Sequence, residues 1–272
     1  MGNLYILKIG GSVATKKDTK KLIVNKKTIK NAGREIKQWQ IAHPNDKLIL
    51  IHGAGGPSHH LAKEYLLTEG ALNKKSAWKG SILSRIANQS LNLSIFKILT
   101  QSNLLVVPIH TGSTIIQKNK LINSFNLKAL LLALKNNHIP LIYGEMVFDT
   151  RLGMTICSGD TIASFLTTKF NIKKVFFATD VNGVFNKDPY LHNDAKLIKK
   201  INFKDIFSKN ISVESSHNED VTGGLNGKLK SFKNISKKNS LKEIIIFNGT
   251  TQGSYLAALN NTTNNLTKVS VN

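Results

Sequence analysis

Residues 4–12 read LYILKIGGS, a short and mostly apolar run that ends in two glycines and a serine. A run with apolar residues on both faces is typical of a strand buried in a mostly parallel sheet. Similar runs recur along the chain, and each predicts a short buried strand. They lie at residues 4–9, 47–52, 104–109, 139–143, 174–178 and 243–247.

Helical patterns separate these strands, and two of them carry apolar residues at the spacing of one helix face. In residues 28–41 these are Ile29, Ala32, Ile36 and Trp39, and in residues 81–99 they are Ile82, Ile86, Leu93 and Ile98. Further helices are predicted over residues 161–170 and 227–236. The alternation predicts an α/β fold, an open, mostly parallel, doubly wound sheet sandwiched by helices. We interpret residues 1–272 as a single domain.

The composition excludes several classes of protein. The longest apolar runs, such as 104–109 and 129–134, are far shorter than the roughly 18 residues that span a bilayer. The lone cysteine, Cys157, excludes an intrachain disulfide and a Cys-rich zinc site, and we expect a cytoplasmic location. With 38 Lys and Arg against 16 Asp and Glu, the net charge is +22. That charge suits an anionic small substrate; scattered lysine pairs without an Arg-rich stripe argue against a nucleic-acid partner.

Ligands of doubly wound sheets bind beyond the carboxyl ends of the strands, so the residues that follow each strand form the candidate site. After the first strand, Gly10, Gly11 and Ser12 could offer backbone N–H groups to an anion. Lys8 and Lys17 lie close enough in sequence to hold the same phosphate. A tight turn explains these glycines without any ligand.

A second glycine-rich loop follows residues 47–52 and leads into a helical pattern. Gly53, Ala54 and Gly55 precede His59 and His60 at the start of that helix. A helix N-terminus preceded by glycines is an anion site, and a histidine in its first turn can donate a hydrogen bond to the anion. We predict a phosphate site here. The alternatives are a structural turn with exposed histidines, and a metal site that lacks a third ligand.

Three later loops add further glycines and charged residues. They contribute Gly159 and Asp160 where a helix begins, Thr179, Asp180 and Gly183 after residues 174–178, and Gly224 and Lys228 in a stretch without Walker A spacing. Asp160 could cap the helix, or could orient lysines or a metal. Together the loops place glycines, lysines and an aspartate at one sheet edge. This set suits phosphoryl transfer, in which catalysis is mostly positioning and charge neutralisation.

The same segments follow one another as they do in the amino acid kinase superfamily. The resemblance covers residues 4–259 and is most specific at 143–189 and 220–228. Within the superfamily, the histidine after the glycine-rich loop makes the sequence most similar to the isopentenyl phosphate kinases and the related fosfomycin kinases. The resemblance implies an αβα fold with an acceptor-binding half, residues 1–150, and a nucleotide-binding half, residues 151–272.

The resemblance also implies a reaction, the phosphorylation of isopentenyl phosphate by ATP with Mg²⁺ for isoprenoid biosynthesis. The implied catalytic residues are Lys8, Lys17, His59, Asp160 and Lys228. Those implied to bind the acceptor are Gly53, Ala54, Gly55, His59 and Gly159, and those implied to bind the nucleotide are Lys8, Gly10, Gly11, Ser12, Lys17, Thr179, Asp180, Gly183, Gly224 and Lys228. No metal ligand from the chain is implied. We expect a homodimer, and no membrane or nucleic-acid partner.

The second loop departs from the family pattern. The family reads Gly-Gly-Gly-Ser-Phe-Gly-His, whereas residues 53–59 read Gly-Ala-Gly-Gly-Pro-Ser-His. Pro57 has no N–H for a phosphate, and His60 leaves the histidine register open by one position. Two alternatives therefore stay open: a kinase of the same fold acting on another phosphate or phosphonate such as fosfomycin, and a nucleic-acid-binding or regulatory protein on a kinase scaffold. We expect an apolar acceptor tail to lie near Ile82 and Ile86, unless that stripe is core.

Overall fold

The computed structural model describes residues 2–16, 19–206, 229, 231, 232 and 240–271. The strands are β1 (Leu4–Ile9), β2 (Lys47–His52), β3 (Val106–Pro108), β4 (Ile115–Lys118), β5 (Leu121–Phe125), β6 (Ile139–Tyr143), β7 (Glu145–Asp149), β8 (Gly153–Cys157), β9 (Ile172–Thr179), β10 (Val184–Phe185), β11 (Leu197–Ile198), β12 (Lys200–Asn202), β13 (Glu243–Asn248) and β14 (Leu266–Ser270). The helices are α1 (Gly11–Ala14), α2 (Lys26–Ala42), α3 (Gly56–Glu64), α4 (Lys75–Thr100), α5 (Thr111–Thr114), α6 (Lys128–Lys135), α7 (Gly159–Lys169) and α8 (Ser254–Leu259), with 3-10 turns at Leu67–Glu69 and Phe203–Ile206.

An eight-stranded sheet forms the middle layer, in the order β12-β14-β13-β9-β1-β2-β6-β3. From β13 to β3 its neighbouring strands run parallel, and β14 pairs with β13 antiparallel. A four-stranded sheet, β5-β4-β7-β8, and the β10–β11 pair complete the strands of the described residues. Helices pack on both faces of the main sheet, so the predicted α/β sandwich is confirmed.

Alternation along the central strands divides the core into two faces. Ile6 and Ile51 belong to the face that packs on α6 and α7, whereas Leu7 and Leu50 belong to the face that packs on α2, α4 and α8. Successive side chains of a strand point to opposite faces of the sheet. Lys8, at the end of β1, therefore lies on the α7 side.

The strand and helix predictions hold in position, and two of them differ most in extent. The predicted strand 104–109 shortens to Val106–Pro108, at the edge of the sheet, where Pro108 is tolerated although it has no N–H. The predicted helix 81–99 extends to Lys75–Thr100. The predicted helix 227–236 falls mostly outside the described residues.

The apolar stripe of α4 is not a core face over most of its length, and of its four residues Ile98 alone packs partly against the core. Ile82, Ile86 and Leu93 are half exposed or more. Most of the buried positions of this helix up to residue 92 are instead small or polar: Ala77, Gly80, Ser81, Ser84, Asn88 and Asn92. The helix turns this face inward because it packs on α3 and β7 through hydrogen bonds, described below.

Candidate active site

The strand order brings three of the predicted loops together. β1 lies between β2 and β9, and their registers align Ile9 with His52 on one side and with Ala178 on the other. The carboxyl ends of these parallel strands therefore meet at one edge of the sheet. The loops that begin at Gly10, Gly53 and Thr179 leave from that edge side by side.

The first two loops touch backbone to backbone. A Cβ added to Gly11 would lie 2.0 Å from the carbonyl oxygen of Ala54, and one added to Gly53 would lie 2.8 Å from the Gly11 nitrogen. Any side chain at either position would push the loops apart. The glycines in these two turns are therefore required by the close approach of the two loops.

Helix α3 begins directly after the second loop and carries His59 back to the first. The Nε2 atom of His59 lies 3.8 Å from the position that a Cβ of Gly11 would occupy. Thr15 anchors the start of the helix, because the Gly56 N–H donates to its Oγ1 at 3.1 Å. The His59 ring therefore lies at the junction of the two glycine loops.

The unusual residues of the second loop point inward. Pro57 and Ser58 are buried in the first turn of α3. The Ser58 hydroxyl donates to Oδ1 of Asn88 on α4 at 2.6 Å. Two of the departures from the family pattern, Pro57 and Ser58, thus lie on the packing side of the helix.

Lys8 and Asp160 form a buried ion pair beneath these loops. The Lys8 ammonium hydrogen-bonds a carboxylate oxygen of Asp160, which lies in the first turn of α7. The Ser158 hydroxyl accepts the Thr161 N–H at 3.1 Å, so the side-chain cap of α7 is Ser158 and not Asp160. Gly159 lets the lysine pass, since a Cβ there would lie 3.0 Å from Lys8 Cε.

Several backbone N–H groups at this edge have no hydrogen-bond acceptor within the described part of the chain. They belong to Gly11 and Ser12 in the first loop and to Ala54 and Gly55 in the second. Backbone N–H groups that converge in a concave turn bind anions. With the Lys8 ammonium and the N-terminus of α3 close by, this edge favours negatively charged ligands.

The third loop of this edge is closed by local hydrogen bonds. The Thr179 hydroxyl donates to the carbonyl of Val181 at 2.8 Å, and the Tyr190 hydroxyl donates to the carbonyl of Asp180 at 3.2 Å. Gly183 packs on β14, where a Cβ would lie 2.3 Å from Thr267 Oγ1. These contacts shape the loop after β9.

Three predicted site residues, Lys17, Gly224 and Lys228, lie outside the described residues. The described ranges contain no group of three His, Cys, Asp or Glu side chains arranged to hold a metal ion. Over the same ranges, no helix is long and apolar enough to cross a membrane.

The model of the amino acid kinase family matches residues 3–248 of this chain. The chain belongs to the amino acid kinase family. The resemblance read from its loops is therefore confirmed, and so is the fold that it implied.

Named relatives within the family point to one branch. The isopentenyl phosphate kinase of Methanocaldococcus jannaschii is 31% identical over 94% of this chain and 95% of its own length. That of Methanothermobacter thermautotrophicus is 28% identical over 89% of this chain and 90% of its own. Among solved structures, an isopentenyl phosphate kinase superposes with a TM-score of 0.79 at 23% identity, and covers 98% of this chain and 100% of that one.

Two buried polar groups of this family member were missed by the sequence reasoning. His52, at the end of β2, is fully buried, and burial lowers its pKa to about 4. Glu145 on β7 accepts the Gly112 N–H at 2.7 Å and the Gln89 amide at 3.1 Å, and burial raises its pKa. His52 could have been recognised in the sequence as the polar residue that ends an apolar strand directly before the glycine loop.

Proposed function

We propose that this chain transfers the γ-phosphoryl group of ATP to isopentenyl phosphate, with release of isopentenyl diphosphate and ADP, in isoprenoid biosynthesis. The observation that carries the proposal is the junction of the two glycine loops. There the His59 ring and the Lys8–Asp160 pair converge with N–H groups that have no acceptor among the described residues. The identity of the acceptor, isopentenyl phosphate, is inferred from the activity for which the relatives are named. Both substrates are anions, which suits the charge of this edge.

Each side chain at the junction has a role in the proposed transfer. A phosphate oxygen of the acceptor attacks the γ-phosphorus, and the bond to the β,γ-bridging oxygen of ATP breaks. His59 and the N–H groups of Ala54 and Gly55 hold the acceptor phosphate, while Lys8 neutralises the transferring oxygens. Asp160 fixes the Lys8 ammonium; it need not act as a base, because a phosphate acceptor is already ionised at neutral pH.

The remaining assignments of the site belong to the same proposal. Gly159 lies beside Lys8 on the acceptor side, and Gly10, Gly11, Ser12, Thr179, Asp180 and Gly183 border the nucleotide. Lys17, Lys228 and Gly224, outside the described residues, would neutralise and bind the ATP phosphates. We further propose that residues 1–150 bind the acceptor and residues 151–272 the nucleotide, within one domain.

Magnesium enters the proposal as part of the nucleotide substrate. Mg²⁺ keeps most of its water ligands and is commonly held through substrate phosphates with only one or two carboxylates. The chain's own contribution to charge neutralisation is then made by its lysines and backbone N–H groups.

Ile82 and Ile86, near which the acceptor tail was expected, are not core residues, because both are more than half exposed on α4. We propose that the tail lies beyond His59 along α3. There Tyr65, Trp78 and Ile156 are partly buried around a small apolar cluster.

We also propose that the chain forms a homodimer through the outer face of α4. That face exposes Ile82, Leu83, Ile86 and Leu93. Between residues 80 and 96 the helix has a single charged residue, Arg85, which turns toward Glu145 at 3.8 Å. A chain with a net charge of +22 repels its own copies, and this uncharged apolar strip is where a second copy meets the least repulsion. The cytoplasmic location stays a prediction.

The test of the activity is ADP release from ATP and Mg²⁺ with a panel of acceptors. The panel contains isopentenyl phosphate, dimethylallyl phosphate, geranyl phosphate, fosfomycin, N-acetylglutamate and UMP. Turnover is expected to be strongest with isopentenyl phosphate. Stronger turnover of fosfomycin than of isopentenyl phosphate would contradict the proposed acceptor but would still support a kinase activity.

A pair of variants tests the histidine register. His59→Ala is expected to lower kcat/KM for the acceptor by about 10²-fold, since it removes a donor to the transferred charge. His60→Ala is the matched control one residue along the same helix, and its kinetics are expected to change little. The reverse pattern would contradict the placement of His59 in the site.

A further inference from the structure

The His52 side chain connects helix α4 to the second glycine loop. Its ring lies on the α4 side of the sheet and is fully buried. Nδ1 lies 2.9 Å from the carbonyl oxygen of Gly53, and Nε2 lies 3.2 Å from the amide nitrogen of Asn92. The ring also stacks on Tyr143 of β6, with centroids 5.2 Å apart and planes 7° apart.

These two hydrogen bonds determine where the His52 proton lies. A carbonyl oxygen can only accept, so Nδ1 must carry the hydrogen that faces Gly53. In a neutral ring Nε2 is then an acceptor, and the Asn92 amide donates to it. Burial favours this neutral form, because it lowers the pKa of His52 to about 4.

The hydrogen bond to Gly53 orients the next backbone amide. In a trans peptide the C=O of one residue and the N–H of the next point in opposite directions. With the Gly53 carbonyl held against the ring, the Ala54 N–H points away from it. Within the described residues this N–H has no acceptor.

We infer that His52, held by Asn92, is a positioning residue that aims the Ala54 N–H at the acceptor phosphate. The inference rests on the proposed function for the identity of the ligand. The proton arrangement itself does not, because it follows from contacts between protein atoms alone. Helix α4 thereby influences the acceptor site through the buried His52 side chain.

The first experiment reads the proton without any substrate. In ¹⁵N-histidine NMR of the whole protein, His52 is expected as a neutral ring with the hydrogen on Nδ1, and is assigned by its absence in His52→Asn. Replacing the Asn92 donor in Asn92→Leu is expected to shift the Nε2 resonance. A His52 ring with its hydrogen on Nε2 in the wild type would overturn the inference, whatever the outcome of the activity assays.

The second experiment measures kinetics with isopentenyl phosphate. Asn92→Leu is expected to raise KM for the acceptor about ten-fold or more and to leave KM for ATP within about two-fold, because only the acceptor loop loses its support. Ser94→Ala, on the same helix with its hydroxyl on the Ser90 carbonyl, is the matched control. His52→Asn keeps an N–H donor near the Nδ1 position and is expected to retain more activity than His52→Leu. An equal increase of the KM for the acceptor and of the KM for ATP in Asn92→Leu would overturn the inference.

A third variant adds a pH signature that simple loss of packing would not produce. In Asn92→Asp the new carboxylate requires a hydrogen on Nε2, so the ring contacts both partners only as an imidazolium. Tyr143 is the titratable group that faces the ring; the Lys8 ammonium, on the opposite face of the sheet and paired with Asp160, acts on His52 only through its charge. Activity of Asn92→Asp is expected to fall at alkaline pH, as this imidazolium loses its proton, while the wild type shows no such loss. A profile parallel to the wild type would contradict the inference.

The outcomes separate the two claims. Absence of turnover with isopentenyl phosphate in the wild type, together with the Nδ1–H ring, refutes the proposed acceptor and leaves the proton arrangement intact. Strong turnover with unchanged kinetics in Asn92→Leu refutes the positioning role and leaves the kinase intact.

Discussion

Helices α2 and α4 pack on the same face of the main sheet but place opposite kinds of residue there. α2 buries Ile29, Ile36 and Trp39 and exposes Lys and Arg, as its amphipathic pattern predicts. Between residues 81 and 92, α4 buries serines and asparagines and exposes Ile82 and Ile86. Periodicity identifies the faces of a helix, but the surface on which the helix packs decides which face is buried.

The difference follows from what each helix supports. α2 lies over the apolar interior of the sheet, where burial of hydrocarbon is the main stabilising term. The middle of α4 lies over the strand ends, next to loops rich in backbone polar groups. There Asn88 accepts a hydrogen bond from Ser58 on α3, and Asn92 contacts His52 on β2. Leu91, Ile95 and Leu99 of the same helix pack in the apolar core.

Truncating the apolar anchor of α2 has the largest expected effect. Trp39 is fully buried and meets Tyr5 edge to face at 5.6 Å. Trp39→Ala is expected to lower the free energy of unfolding by about 3–5 kcal/mol in urea titrations. Ile41→Ala, on the same helix at a position that is 70% exposed, is the control and is expected to stay within about 0.5 kcal/mol. Similar losses in both variants would contradict the assigned faces of α2.

Acid should lower the free energy of unfolding through His52, which links α4 to β2, by slightly less than Trp39→Ala does. The pKa of His52 is about 4 in the folded chain and 6.5 at its ordinary value. The unfolded chain therefore binds more protons between these values, so the free energy of unfolding falls as pH drops from 6.5 to 4. At 1.36 kcal/mol per pH unit, the contribution of His52 is about 3 kcal/mol. Urea unfolding of wild type and His52→Asn across this window measures it, and equal pH slopes would contradict the buried neutral ring.

Removing a hydrogen bond between α4 and α3 should cost less than removing Trp39. Asn88→Leu leaves the buried Ser58 hydroxyl with only its longer contact to the Ser84 carbonyl, at 3.4 Å, and is expected to lower the free energy of unfolding by about 1–3 kcal/mol. Adding Ser58→Ala is expected to restore most of that loss, since both polar partners are then gone. Additive losses in the double variant would show that the two side chains do not act as a pair.

Changes on the exposed face of α4 should alter assembly with little effect on folding. Ile82→Ser combined with Ile86→Ser is expected to change the free energy of unfolding of the monomer by about 0.5 kcal/mol or less per site. The same pair is expected to convert a dimer into a monomer in light-scattering chromatography. Ile41→Ser on α2 is the control and should leave the mass unchanged. A monomeric wild type would contradict the proposed homodimer.

Much of the fold could be read from local patterns. The runs at 4–9, 47–52 and 139–143 are strands with the predicted bounds, because strands buried on both faces are apolar throughout and end in turn residues. The glycines of the first two loops could also be recognised from the sequence. They are needed because close backbone approach leaves no room for Cβ atoms. These features depend on a few neighbouring residues, and they can therefore be predicted from the local sequence.

Other features depend on residues far apart in the chain. The pairing of Lys8 with Asp160, the contact of the His59 ring with the Gly11 turn, and the support of His52 by Asn92 all require the strand order of the sheet. The inward face of α4 was misread for the same reason, because its polar residues become buried only against Ser58 and His52. Apolar patterning and turn chemistry are local and predictable from the amino-acid order, whereas hydrogen-bond partners and the burial of polar groups arise only when distant segments meet.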